Sequence, residues 1–310
     1  MRAGSVIDLV GNTPLVELRH LSPKDGVRFF AKLEGTNPSG SVKDRIVRHI
    51  LLQAAAEGRV RPGDTVIEAS TGNTGLSLAL LGRRLGYRVV VVVPESASPE
   101  VLALLLNFGA EAILHPAQEG MKGASARARS LARDKGYFFL DQFANPLNCE
   151  AHYQTTGAEI LADLSQVDVF VAGLGTGGTL MGVGHRLRQA KPQTQIVAVE
   201  PYPGSFVQGI RSLADGFVPP ILDLDFLDGK LLVRGAAALR ASQQLVVKEG
   251  IFAGTSSGAV LHGALRWSRR LERGNVVLLF ADAGGKYLRT PAFSGDHPPQ
   301  EEELDDIMWW

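Results

Sequence analysis

The chain contains a single cysteine, Cys149, among 310 residues. No intrachain disulfide can form, and no motif surrounds Cys149 that would make it a nucleophile, so a structural role is expected. Charge of either sign in excess is also missing: 32 Lys and Arg balance 32 Asp and Glu. Such a balance gives no electrostatic argument for a nucleic acid or an anionic membrane as partner. Long hydrophobic runs are absent. The apolar stretch Leu76-Ser77-Leu78-Ala79-Leu80-Leu81 is followed at once by Arg83-Arg84, far short of the roughly 20 apolar residues that a membrane span needs. Nothing reads as a secretory signal. A soluble, cytoplasmic protein is expected, with no metal site.

What is present is an ample supply of core. The hydrophobic fraction is 45%, and a chain of this length suggests two domains rather than one. Strand and helix patterns alternate. Strands are expected at 64–69, 87–93, 111–114, 167–172, 195–199 and 275–280, most of them continuous β-branched runs. Helices are expected from about Gly75 to Leu85, Pro99 to Phe108 and Leu180 to Gln189. Continuous apolar strands alternating with helices predict an α/β fold built on mostly parallel sheets covered on both faces.

Four segments carry chemistry. In Asn37-Pro38-Ser39-Gly40-Ser41-Val42-Lys43, a glycine-bearing turn ends where a helical pattern through Ile46, Val47, Ile50 and Leu51 begins. The helix dipole disfavours a cation in a first turn and so favours the neutral, nucleophilic amine. Taken alone, Lys43 also reads as a solvated surface lysine. Gly175-Thr176-Gly177-Gly178-Thr179 follows a strand and opens a helix, where backbone N–H groups can converge on an oxyanion; a plain strand-to-helix turn is the alternative. Its order, counted from Gly173, is not the G-x-G-x-x-G of a dinucleotide site. Ser70-Thr71-Gly72-Asn73-Thr74-Gly75 is a second strand-to-helix turn, rich in donors for a carboxylate. Ser70 and Asn73 also suit helix capping, as does Ser256 in Thr255-Ser256-Ser257-Gly258.

In this order, and with Gly11-Asn12-Thr13-Pro14-Leu15 at the start and Ala281-Asp282-Ala283-Gly284-Gly285-Lys286-Tyr287 near the end, the motifs resemble the pyridoxal-phosphate (PLP) enzymes of the cysteine synthase family. The resemblance covers nearly the whole chain. It implies PLP fold type II, tryptophan synthase β-like: two doubly wound, mostly parallel sheet domains with the cofactor in the cleft between them. It implies a larger PLP-binding domain of residues 1–36 plus 146–292, a smaller mobile substrate domain of residues 37–145, and a C-terminal tail, 293–310. By the same resemblance Lys43 holds PLP as a Schiff base and then removes the substrate's α-proton. Gly175, Thr176, Gly177, Gly178 and Thr179 hold the cofactor phosphate, Asn73 its ring hydroxyl oxygen, and Ser256 its pyridine nitrogen. Ser70, Thr71, Gly72, Thr74 and Gln142 bind the substrate carboxylate. The family usually reads Thr-Ser where this chain has Ser70-Thr71; the hydroxyl chemistry survives the exchange. A serine at the pyridine nitrogen leaves the ring closer to neutral than a carboxylate would, which suits α,β-elimination better than transamination.

The implied reaction is β-replacement on an activated serine, giving L-cysteine through an aminoacrylate. Arg211-Ser212-Leu213-Ala214-Asp215-Gly216-Phe217 resembles the branch that uses O-phosphoserine, in which Arg211 would bind the substrate phosphate through its permanent, bidentate charge. A surface arginine is the plainer reading. That branch often has tryptophan where this chain has Gly285. It also implies a homodimer, a ubiquitin-like sulfur-carrier protein ending in a thiocarboxylate, with free sulfide and thiosulfate as the alternative sulfur sources, and an apolar tail end, Ile307-Met308-Trp309-Trp310, that gates the active site. O-acetylserine as donor, a cystathionine β-synthase, and a catalytically silent module binding C-terminal peptides are the rivals. No regulatory domain or N-terminal haem-binding extension is expected, which counts against the second of these.

Overall fold

A computed structural model describes residues 3–288 and the short strand Met308–Trp309. The rest of the tail, residues 289–307 and Trp310, lies outside the described residues; of the expected gate, Ile307 and Trp310 fall there, and Met308 and Trp309 pair antiparallel with Leu231 and Lys230. In chain order the strands are β1 (Leu15–Glu17), β2 (Val27–Leu33), β3 (Thr65–Ala69), β4 (Arg88–Pro94), β5 (Glu111–His115), β6 (Phe138–Phe139), β7 (Val169–Gly173), β8 (Gln195–Pro201), β9 (Gly229–Val233), β10 (Gly274–Phe280) and β11 (Met308–Trp309). The α-helices are α1 (Lys43–Ala56), α2 (Asn73–Ser77), α3 (Pro99–Asn107), α4 (Gly120–Lys135), α5 (Leu147–Ala151), α6 (Gly157–Asp163), α7 (Gly178–Ala190), α8 (Gly235–Glu249) and α9 (Thr255–Trp267). The chain divides into two compact units, Met1–Gly11 with Asn37–Ala151, and Asn12–Thr36 with His152–Trp310.

The first unit holds a four-stranded sheet in the order β5-β4-β3-β6, every pairing parallel. β3 is buried along its whole length. Alternate residues serve opposite faces. Val66, Val89 and Val91 pack with Ile46, Ile50 and Leu51 of α1. Ile67, Ala69, Val90 and Val92 pack with Ala124 and Ala128 of α4. Small residues along α4 let its backbone approach the sheet closely. The order runs β3, β4, β5 outward in one direction and then returns to add β6 on the other side of β3. This reversal makes β3 a topological switch point, where crevices form beyond the carboxyl ends of strands.

The second unit repeats the plan. Its sheet runs β1-β2-β10-β7-β8-β9-β11. From β2 to β9 all neighbours are parallel, and β1 and β11 are antiparallel at the two edges. Here β7, β8, β9 run outward and β10 joins on the other side of β7, so β7 is the second switch point. Val171, Val199, Val276 and Leu278 pack with Val260, Leu261 and Ala264 of α9, each such buried side chain contributing roughly 1.5–3 kcal/mol of transfer free energy. A buried charge has to be paired, and fully buried Lys32 in β2 meets that need: its Nζ donates to Thr13 O at 2.6 Å and lies 2.8 Å from Glu159 Oε2. The architecture is the doubly wound, mostly parallel α/β arrangement expected. Among the described residues no helix is long and apolar enough to cross a membrane.

Trp267 closes the core beside β9. Its Nε1 donates to Gln195 Oε1 at 2.9 Å, and its ring lies against Gly229, where an added Cβ would come within 2.3 Å of Cζ3. Gly229→Ala should therefore lower stability by about 1–3 kcal/mol, the usual cost of overpacking, read as an earlier denaturant midpoint. An unchanged midpoint would mean that the indole moves aside freely.

Candidate active site

In the first unit the turn before α1 is tied down by a buried carboxylate that follows Lys43 directly. Asp44 accepts from the Ser39 N–H at 2.7 Å and from Ser39 Oγ at 2.5 Å. Ser39 Oγ lies 3.0 Å from Ser77 Oγ on α2, so the same knot joins the two helices. Gly40 takes φ +82°, a value that L side chains rarely adopt. Lys43 is the first residue of α1; the N-cap residue Val42 gives no side-chain cap, and the Lys43 N–H reaches Ser41 Oγ at 3.3 Å. Lys43 itself is half-buried.

The second turn leaves β3. Helix α2 begins at Asn73, two residues earlier than the periodicity suggests, and passes into a wider π-turn over Leu78–Gly82. Asn73 thus lies inside the helix and does not cap it; the N-cap position is Gly72, which offers no side-chain bond. Ser70 Oγ accepts from the Gly72 N–H at 3.1 Å. Among the described residues, an added Cβ on Gly72 would meet nothing within 4 Å. Thr74 Oγ1 donates to Gln142 Oε1 at 2.7 Å, and Gln142 Nε2 donates to Ala69 O at 3.4 Å. Ser70, Thr74 and Gln142 are all buried, and Thr71 is exposed. The first unit brings Ser70–Thr74 and Gln142 into one place, with α1 packed on α2 beside them.

The second unit gathers the other expected residues. β7 ends at Gly173, and the chain passes through Leu174–Gly177 into α7 at Gly178. Gly177 has φ +88°, and an added Cβ there would come within 2.9 Å of Leu222 Cβ. Thr176 Oγ1 accepts from the Gly178 N–H at 3.3 Å, and α7 has no side-chain cap from Gly177. Thr179 Oγ1 lies 3.2 Å from Nε2 of fully buried His152, whose Nδ1 is 2.9 Å from Thr156 Oγ1. A Cβ added to Gly175 would sit 3.6 Å from Gly209 O, and one added to Gly209 would sit 3.7 Å from Ser256 Oγ. Gly209 therefore links the turn after β7, Ser256 and the Arg211 segment. The Arg211 N–H donates to Leu174 O at 2.9 Å.

Ser256 is buried within the first turn of α9, whose N-cap is Gly254, so it does not cap that helix. Next to it, Ser257 Oγ is buried and has no hydrogen-bond partner among the described residues. Arg211 is half-buried and already engaged: its Nη2 lies 2.6 Å from Asp215 Oδ2, and its guanidinium lies 4.5 Å from the centre of the Phe217 ring. Burial pushes the half-buried Cys149 thiol up to about 11, so it stays protonated at neutral pH. That agrees with a structural role.

These residues fit a phosphate-bearing pyridine. A helix start whose N-cap glycine has no side chain, with threonine hydroxyls beside it, suits the phosphate, and a buried serine beside a second buried hydroxyl suits the ring. Sequence reasoning missed three supporting groups: Asp44, His152 and Glu68, the last accepting the Gln142 N–H at 3.0 Å. For Asp44 and Glu68 the available signal was a carboxylate interrupting an apolar pattern. Gly177→Ala should weaken PLP retention by at least about tenfold, since it costs both left-handed strain and a contact clash. Equilibrium dialysis would check this, with circular dichroism confirming the fold; wild-type retention would remove this turn from the phosphate site.

Comparison with known proteins agrees with the geometry. The family described as "Pyridoxal-phosphate dependent enzyme" matches residues 6–282. A cysteine synthase of Staphylococcus aureus (strain Mu50 / ATCC 700699) is 39% identical over 302 residues, covering 94% of this chain and 97% of that protein. Cysteine synthase B of Salmonella typhimurium is 40% identical over 289 residues, covering 93% and 95%. Among solved structures, an O-ureido-L-serine synthase superposes with a TM-score of 0.90 at 36% identity, covering 98% of both chains. With switch-point turns of this chemistry and relatives matching along almost its whole length, the chain belongs to the pyridoxal-phosphate-dependent enzymes of the cysteine synthase family.

Proposed function

We propose that this protein makes L-cysteine by β-replacement on an activated serine, with O-phosphoserine as the preferred donor. The observation that carries the reaction class is the pair of switch-point turns, one furnished for a carboxylate and the other for a phosphate, in a chain whose relatives are named cysteine synthases. When bound, pyridoxal phosphate supplies an electron sink that stabilises negative charge at the amino acid's α-carbon.

The chain's own residues supply the rest. Gly175–Thr179 would hold the cofactor phosphate, Asn73 the ring hydroxyl oxygen and Ser256 the ring nitrogen. Lys43 would hold the cofactor and, once the amino acid takes its place, remove the α-proton through Nζ. N–H groups of the Ser70–Thr74 turn, the Ser70 and Thr71 hydroxyls and the Gln142 amide would grip the α-carboxylate, with the Thr74 hydroxyl orienting that amide. Burial of Ser70, Thr74 and Gln142 excludes water from these bonds and strengthens them. The β-substituent leaves, and a sulfur nucleophile bonds to the same carbon. A ubiquitin-like thiocarboxylate carrier is our candidate for that nucleophile's source.

Arg211 supports phosphoserine as donor, because its guanidinium suits a phosphate dianion and has no use for an acetyl ester. Its contact with Asp215 favours a second reading, O-acetylserine, since a carboxylate at 2.6 Å offsets part of the charge that a phosphate would meet. Titrating the loaded protein with each donor, and following the cofactor's visible absorbance, separates the two. O-phosphoserine should act at the lower concentration. Arg211→Ala should weaken its action about 10- to 100-fold, as expected when a charged hydrogen-bond partner is lost, and leave O-acetylserine unaffected. Equal losses with both donors would refute the role of Arg211, and a wild-type preference for O-acetylserine would establish the second reading.

A further inference from the structure

Glu68 is a fully enclosed carboxylate one residue from the end of an otherwise apolar strand run, Val66-Ile67-Glu68-Ala69, and neither the chemistry nor the core accounts for it. Its two oxygens take different partners. Oε1 accepts from the Ala69 N–H at 2.8 Å, and Oε2 accepts from the Gln142 N–H at 3.0 Å. Ala69 is the last residue of β3, immediately before the Ser70–Thr74 turn. Gln142 follows β6, the strand on the other side of the switch point. The carboxylate thus straddles the place where the two loops separate.

Three further features converge on Gln142. Asp141 has φ +52°, one of two non-glycine residues described with positive φ, a conformation that needs outside support in an L-residue. The carbonyl of Gln142 accepts from Asn148 Nδ2 at 2.7 Å. Its side chain closes a ring back to the first loop through Thr74 Oγ1 and Ala69 O. Both main-chain polar groups of Gln142 are therefore spent on fixing its position, and Glu68 supplies a charged contact.

We propose that Glu68 is a positioning residue for the amino-acid substrate: its carboxylate locks the end of β3 to the Gln142 loop, so that the Ser70–Thr74 turn and the Gln142 amide face one carboxylate as a preformed unit. This rests on the reading of those residues as the carboxylate site. The ionised form of Glu68 is the one that works, because it presents a charged oxygen to each N–H group. Once protonated, the oxygen that carries the proton is a weaker acceptor, and one of the two bonds is weakened.

Burial, the largest influence, pushes the pKa of Glu68 up to about 7; the N–H groups of Gln142 and Ala69 pull it down, Asp141 raises it and Arg129 lowers it. Arg129, from α4, is 3.3 Å from Asp141 and offsets it. On the β4 side the residue paired with Glu68 is Val91, which carries no charge. Glu68 therefore changes charge within the working pH range. Below about 7 its proton has to be released for full substrate affinity, in addition to the proton that the ligand's own amine gives up.

The test uses the PLP-loaded protein and L-serine, whose hydroxyl is a poor leaving group, so that binding is read without turnover by calorimetry and by the cofactor's visible spectrum. In the wild type, the slope of log affinity against pH should steepen by one proton below about 7. Glu68→Gln should remove that extra proton and weaken L-serine about tenfold or more at neutral pH, in line with a lost bond to a charged group, while retaining PLP. Gln142→Ala is measured in parallel. If Gln142→Ala weakens L-serine but Glu68→Gln neither weakens it nor alters the slope, Glu68 is not a positioning residue and the carboxylate site stands. If Gln142→Ala also has no effect, the carboxylate reading falls, and the role of Glu68 with it. Should Glu68→Gln fail to fold, the wild-type slope alone decides: a slope without the extra proton overturns the proposal.

Discussion

A parallel strand buried on both faces has to leave its sheet through a turn, and the direction in which the chain departs decides what that turn can do. At β3 and at β7 the strand order reverses, so the connections on either side of the reversal diverge to opposite faces of the sheet. The polar backbone exposed by that divergence has no neighbouring strand to satisfy it. In this protein both reversals are furnished with glycine, hydroxyl groups and the start of a helix. The remainder of each unit, from the alanine-lined face of α4 to the packing of Trp267 on Gly229, holds those two strand ends in place.

Charge is placed with the same logic. Asp44, Glu68 and Lys32 are buried, and each is tied to backbone or to an opposite charge. None of them is needed for the hydrophobic core, and each would be costly if left unpaired. Asp44 and Glu68 secure turns from which the proposed chemistry is presented. In this fold, buried carboxylates fix loops that hydrophobic packing alone would leave with several conformations.

Much of the fold was legible in the sequence because continuous β-branched runs have one comfortable environment. Val89–Val93 and Val276–Phe280 could only be interior strands. β2 was not legible, because Arg28 and Lys32 interrupt its pattern and the partners that neutralise Lys32 lie far away at Thr13 and Glu159. β6 has only two residues, too short a run to show any period. At the candidate site, glycine-rich turns after strands were visible because their residue types are unusual. The start of α2 was misjudged by two residues because Gly72 is extended and Asn73 already helical. The Glu68–Gln142 contact joins residues 74 apart in sequence, and no local pattern encodes such a distance.

The claim on which the whole account turns is that Lys43, at the start of α1, is the residue that carries the cofactor. Borohydride reduction of the PLP-loaded protein, followed by digestion and peptide mass mapping, tests it directly. One covalently labelled peptide, containing Lys43, is expected, with no labelling in Lys43→Ala. Label on a different lysine of the wild-type protein, or none at all, would contradict it.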